Sequence, residues 1–267
     1  MMRRFFIFLV LIVFAAPGLA TSKEWAEDLP ARPGVKQRVL FIEPPGKPVA
    51  SAILFTGGKG KIGLRKDGTI KRGGNFLVKT RNIFASHDLL VAVVDAPSDE
   101  KDHDGMSGHR KTAAHARDIA AVIKRLRELT PVPVWLIGTS RGTISAANGA
   151  ARLSGREGPD GIVLTSSVVA TGNRMQDSVF DVDVEDIRVP ALVVHHKDDS
   201  CYVTLWRDAD SLPKELVNSP KTELMTITGG DGGEVDAECG PKSHHGFLDQ
   251  REPVIERIAD WIKAIKP

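Results

Sequence analysis

The 267 residues carry 36 Lys plus Arg against 34 Asp plus Glu. That balance leaves no basic excess to bind a nucleic acid backbone. A chain of this length is long enough to bury one large core.

The first twenty residues read as a segment outside the fold. Met1-Met-Arg-Arg is a short positive head, Phe5 through Ala16 is an uncharged apolar run, and Gly18-Leu19-Ala20 offers small residues for cleavage. This pattern predicts a secretory signal peptide over 1–20. A single domain over 21–267 follows it, in a periplasmic or secreted protein that meets a membrane only if the signal stays uncleaved as an anchor. Removing Arg3 and Arg4 leaves 34 basic residues against 34 acidic ones. In an exported chain, two cysteines predict one bridge, Cys201 with Cys239.

Apolar runs predict strands at 39–42, 50–56, 89–95, 132–137, 161–165, 191–195 and 223–228. Between them, helices are predicted at 76–85 and 112–129 and from Thr143 onward, with a closing helix over 253–265. In the second helix Ile119, Val122, Ile123, Leu126 and Leu129 share one face. Near-continuous apolar strands alternating with helices imply an α/β fold, a mostly parallel central sheet with helices on both faces. Residues 166–190 are the one segment large enough for a lid. They are few, so little or no lid is expected.

The strand at 132–137 runs into Gly138-Thr139-Ser140-Arg141-Gly142, and a helix follows at once. This is the context of a nucleophile elbow. Glycine at 138 and 142 removes side chains that would clash in so tight a turn. The N–H of Arg141, at a helix N-terminus, is placed to stabilise an oxyanion. Such an elbow requires an acid and then a histidine later in the chain. Asp198 and Asp199 follow the 191–195 strand, and Asp199 is preferred by its spacing. His244 and His245 precede the last helix, and His245 is preferred because Gly246 follows it. The glycine loop after the second strand, Thr56-Gly57-Gly58-Lys59, offers the second oxyanion donor, either Gly58 (preferred) or Lys59.

Taken together, Thr56-Gly57-Gly58, Gly138-Thr-Ser140-Arg-Gly142, His196-Lys-Asp-Asp199 and His245-Gly246-Phe247 resemble the α/β-hydrolase superfamily over most of residues 36–265. The resemblance implies a serine hydrolase working through an acyl-enzyme, with Ser140, Asp199 and His245 as triad, no cofactor and a small-molecule ester or amide as substrate. Carboxylic esters are the leading expectation. A serine peptidase or aminopeptidase, or a non-catalytic hydrolase-like binding protein, are the alternatives. Serine at the elbow disfavours the dienelactone hydrolase branch, which uses cysteine there. The Cys201–Cys239 bridge would tie the acid loop to the histidine loop.

Three other features carry less. The acidic loop 230–238 lacks the ordered spacing of a calcium loop. Asp102, His103, Asp104 and His109 hint at a metal, but no second cluster in the sequence supports one, so none is expected. Lys59, Lys61, Arg65, Lys66, Lys71 and Arg72 make a basic loop beside the expected site.

Overall fold

The computed structural model describes residues 22–100, 105–172, 176–233 and 238–265. The proposed signal peptide, Asp102 to Asp104 and residues 234–237 of the acidic loop lie outside these residues. No helix among the described residues is long and apolar enough to cross a membrane.

Eight strands form one sheet: β1 (Glu24–Arg32), β2 (Val35–Ile42), β3 (Ala50–Phe55), β4 (Leu89–Val94), β5 (Val134–Thr139), β6 (Gly161–Thr165), β7 (Ala191–His196) and β8 (Thr222–Ile227), in the order β1-β2-β4-β3-β5-β6-β7-β8. The pairs β1/β2 and β2/β4 are antiparallel, and every other pair is parallel. The predicted strands are all present. The β1–β2 hairpin was not anticipated beyond residues 39–42. β1 is an edge strand on which only Leu29 is buried, so its apolar signal is weak.

The long helices are α1 (Phe76–Ser86), α2 (Ala113–Leu129), α3 (Gly142–Arg152) and α6 (Arg251–Ala264). The short α4 (Trp206–Ala209) and α5 (Leu212–Glu215) follow β7. Side-chain caps mark two of the starts. Asn75 accepts from the N–H of Leu77, and Thr112 accepts from that of His115. Such caps stabilise a helix by about 1 kcal/mol.

Alternate residues of the strands feed two cores, one on each face of the sheet. Val39, Phe41, Ile53 and Phe55 pack with Ile119 and Ile123 of α2 and Ile144 of α3. Leu40, Ile42, Ala52 and Leu54 pack with Phe76 and Phe84 of α1 and Ile255 and Ile258 of α6. Leu129, the last residue of α2, departs from the expected face and is exposed, whereas Leu126 one turn earlier is buried. Between β6 and β7 the described residues form only two short 3-10 turns, Val179–Asp181 and Val184–Asp186. This agrees with the expectation of little or no lid.

The chain leaves β3 toward β4 on one side and returns to β5 on the other. Such a reversal opens a crevice at the carboxyl ends of β3 and β5, the usual place for a ligand in an open α/β sheet.

Candidate active site

Ser140 sits in that crevice, at the junction of β5 and α3. Its φ is +53°, a left-handed conformation that costs a non-glycine residue free energy and persists only where the surroundings enforce it. Two contacts enforce it here. The Ser140 N–H donates to the Thr165 carbonyl at 3.0 Å, and the Ser140 carbonyl accepts from the Thr143 hydroxyl at 2.6 Å.

The flanking glycines are required by backbone approach. A Cβ on Gly138 would stand 2.3 Å from the Gly142 carbonyl oxygen, and one on Gly142 would stand 2.0 Å from that of Phe55. Gly57 has the same character, since its Cβ would lie 2.9 Å from Cβ of Ser140. The absent side chain at 57 is therefore what lets the glycine loop lie against the serine. Gly58 is different. Its surroundings are open, and its φ of +57° is the reason for glycine.

Asp199 and His245 meet as expected. Nδ1 of His245 lies 3.0 Å from Oδ2 of Asp199, and both side chains are buried. The other carboxylate oxygen accepts from the N–H of Cys201 at 3.0 Å. The hydroxyl of Thr204 donates to Oδ2 at 2.9 Å and stands 3.1 Å from Nδ1 of His245. Asp198 does not take part. It is exposed, and its backbone N–H donates to Nδ1 of His196. His244 stacks on His196 with ring centroids 4.1 Å apart.

One strand end gathers these loops. Thr165 receives the Ser140 N–H, and the next residue, Ser166, donates its hydroxyl to the His245 carbonyl at 2.9 Å. Cys201 and Cys239 form a disulfide spanning 38 residues. It connects the loop after β7 to the loop before α6.

A cavity of about 670 Å³ flanks the glycine loop, lined by Gly57, Gly58, Lys59, Lys61, Arg72 and Asn75 among others. The basic loop owes its course to Asp95 at the end of β4. That carboxylate accepts the N–H groups of Ile62, Gly63, Leu64 and Ala96.

Sequence reasoning missed Arg110. Its guanidinium is buried and donates to the Ser145 hydroxyl at 2.8 Å and the Thr56 carbonyl at 2.9 Å. Burial, reinforced by the charge of Arg141, pulls its pKa down to about 9. Thr204 was missed as well. No local pattern marks either residue, because each acts across distant chain.

The sequence matches no family model and no curated protein. Solved structures do match. An esterase from Pyrococcus furiosus superposes with a TM-score of 0.62 at 13% identity, covering 95% of this chain and 96% of that one. An α/β serine hydrolase without lid from Xanthomonas campestris gives 0.59 at 14% identity, covering 94% and 99%. A dienelactone hydrolase from Anabaena variabilis gives 0.61 at 13% identity, covering 91% and 97%. With a strained serine between β5 and α3, an open eight-stranded sheet and these neighbours over nearly the whole chain, the protein has the α/β-hydrolase fold.

Proposed function

We propose that the protein is an exported serine hydrolase of carboxylic esters, with Ser140 as nucleophile, His245 as general base and Asp199 as the acid that orients it. The observation that carries this reading is the buried hydrogen bond between Asp199 and His245, gathered with the strained Ser140 around the end of β6. The structural neighbours include esterases and a serine hydrolase, which agrees with it.

In this mechanism His245 takes the Ser140 proton as the oxygen attacks the ester carbonyl. Asp199 holds the imidazole in the right tautomer and stabilises the imidazolium. The N–H groups of Gly58 and Arg141 receive the oxyanion. His245 then gives its proton to the leaving alcohol. Water, deprotonated by the same imidazole, releases the acid from Ser140. Export rests on the apolar N-terminal segment and on the disulfide, a bond that persists in oxidising compartments.

The test is labelling by a fluorophosphonate together with turnover of a panel of p-nitrophenyl esters and aminoacyl anilides. Wild type is expected to label and to cleave short esters, and Ser140→Ala to do neither. Equal labelling of both proteins would remove Ser140 from the mechanism. Activity on anilides alone would replace the esterase reading by a peptidase.

A further inference from the structure

The sequence offers His109 as a metal ligand without a companion cluster; the fold supplies one. His115 and Asp118 lie three residues apart on α2 and so face the same way. The loop before α2 brings His109 against them. Nε2 of His109 is 3.2 Å, and Nδ1 of His115 is 3.9 Å, from Oδ2 of Asp118. One donor atom from each residue falls within 4.8 Å of the others. The three side chains are 9%, 3% and 0% exposed.

We propose that His109, His115 and Asp118 form a binding site for a divalent transition-metal ion of the zinc class. Two imidazoles and a carboxylate are the donor set that such ions take. Around an ion with bonds of about 2.0–2.2 Å, tetrahedral ligand atoms stand about 3.3–3.5 Å apart. The two distances to Oδ2 fall on either side of that span.

The surrounding residues fit the same purpose. Nδ1 of His109 lies 3.3 Å from a Glu100 carboxylate oxygen. A metal-bound histidine commonly donates its second nitrogen to such a partner, which fixes the tautomer. Oδ1 of Asp118 accepts from Nε of Arg32 at 2.6 Å, and Arg32 is held in turn by Asp99. Nη2 of Arg32 also reaches Oδ2, at 3.1 Å. An ion would displace that longer contact and leave the shorter one.

A purely internal polar network satisfies His109 but not His115. Both ring nitrogens of His115 are buried without a hydrogen-bond partner. A bare buried imidazole is costly, and coordination of an ion would relieve that cost. The site joins the β1–β2 turn to the start of α2. It also abuts Arg110, which holds Thr56 just before the glycine loop.

The experiment strips the full chain with chelator, dialyses it against Zn²⁺ or Co²⁺ and counts metal per chain, with the Co²⁺ visible spectrum as a second readout. About one ion per chain is expected, with a rise in melting temperature of about 4 °C at saturating zinc. His115→Gln is expected to lose both the ion and the Co²⁺ bands. Glu100→Gln is expected to weaken binding about tenfold. His109→Gln, close to the surface, serves in place of His115→Gln if the latter fails to fold. Less than about a tenth of an ion on wild type overturns the proposal. So does an ion that survives His115→Gln or His109→Gln but leaves in His244→Gln, which would place it on the stacked His196–His244 pair. Fluorophosphonate labelling is expected to be the same with and without metal, so this site and the serine mechanism stand or fall separately.

Discussion

Oδ2 of Asp199 lies 3.0 Å from Nδ1 of His245 across 46 residues of chain, while the adjacent Asp198 is exposed and turns to the His196–His244 pair, its carboxylate within 4.8 Å of both rings. Two neighbouring acids therefore have opposite expected effects. Asp199→Asn removes the charge that stabilises the imidazolium, and kcat at neutral pH should fall about 10⁴-fold. Asp198→Asn should change kcat no more than about twofold, as surface substitutions usually do. Steady-state kinetics on one p-nitrophenyl ester decides it. A larger loss in the Asp198 variant would reverse the assignment.

Gly57 tests whether the glycine loop must touch the serine. Alanine there would drive a methyl to 2.9 Å from Cβ of Ser140 and 3.1 Å from the Thr139 carbonyl. Relief requires the loop or the elbow to shift, and small displacements at reacting groups are costly. Gly57→Ala should lower kcat/KM about 10²-fold and destabilise by about 1–3 kcal/mol. Gly73→Ala, whose Cβ would meet nothing closer than 4.0 Å, is the silent control. Equal effects from the two would mean that contact with Ser140 is not the cause.

What was legible in the sequence follows from how local each constraint is. The elbow declares itself because its glycines and serine fall within five residues of chain: the crowding at Gly138 is against Gly142 itself, although that at Gly142 is against distant Phe55. Asp199 and His245 were found by their order and by the strand ends before them. Arg110 and Thr204 left no trace because Thr56 and His245, which they reach, are supplied by distant segments; His115 and Asp118 lie close to His109 in the chain, and their shared helix face was passed over. Arg110 and Thr56 are 54 positions apart, and no periodicity in the chain between would join them. β1 was missed for a related reason: an edge strand with one buried side chain has little alternation to read.

The Cys201–Cys239 bridge ties down the loop that carries the acid, and the N–H of Cys201 itself donates to Asp199. Closing a loop of 38 residues stabilises the fold by about 3–4 kcal/mol in the chain-entropy model. The Cys201→Ser, Cys239→Ser double variant should lose stability of that order in urea. Its kcat should also fall, as Asp199 loses its fixed position. A variant with lower stability and unchanged kcat would reduce the bridge to a staple with no part in the site.

The cavity beside Gly57 and Gly58 is walled in part by Arg72, with Lys59 and Lys61 beside it. Esters bearing a carboxylate should therefore be preferred over neutral ones of equal size. Their KM should rise with ionic strength while that of neutral esters stays flat. Arg72→Ala should raise KM for the anionic ester about two- to fivefold. The same salt response for both classes would show that the wall does not recognise charge.

Buried histidines make stability depend on pH, and His195 is one of them beside His115, which burial likewise holds down at about 4. His195 lies wholly buried on β7, and its Nε2 accepts the Ser167 N–H at 2.7 Å. Burial holds its pKa down at about 4, against 6.5 ordinarily. Between these values the unfolded chain takes up a proton that the folded chain refuses. The stabilisation is therefore complete above pH 6.5 and is lost as pH falls toward 4. From pH 7 to pH 5 the loss from His195 alone is about 2 kcal/mol, and His115 adds to it in the same direction. It should appear as a lower urea midpoint at pH 5 with the slope unchanged. The His195 resonance should stay that of the neutral ring at pH 5, since protonation would take the acceptor away from Ser167. A ring titrating near 6.5 with a flat urea midpoint would contradict this account.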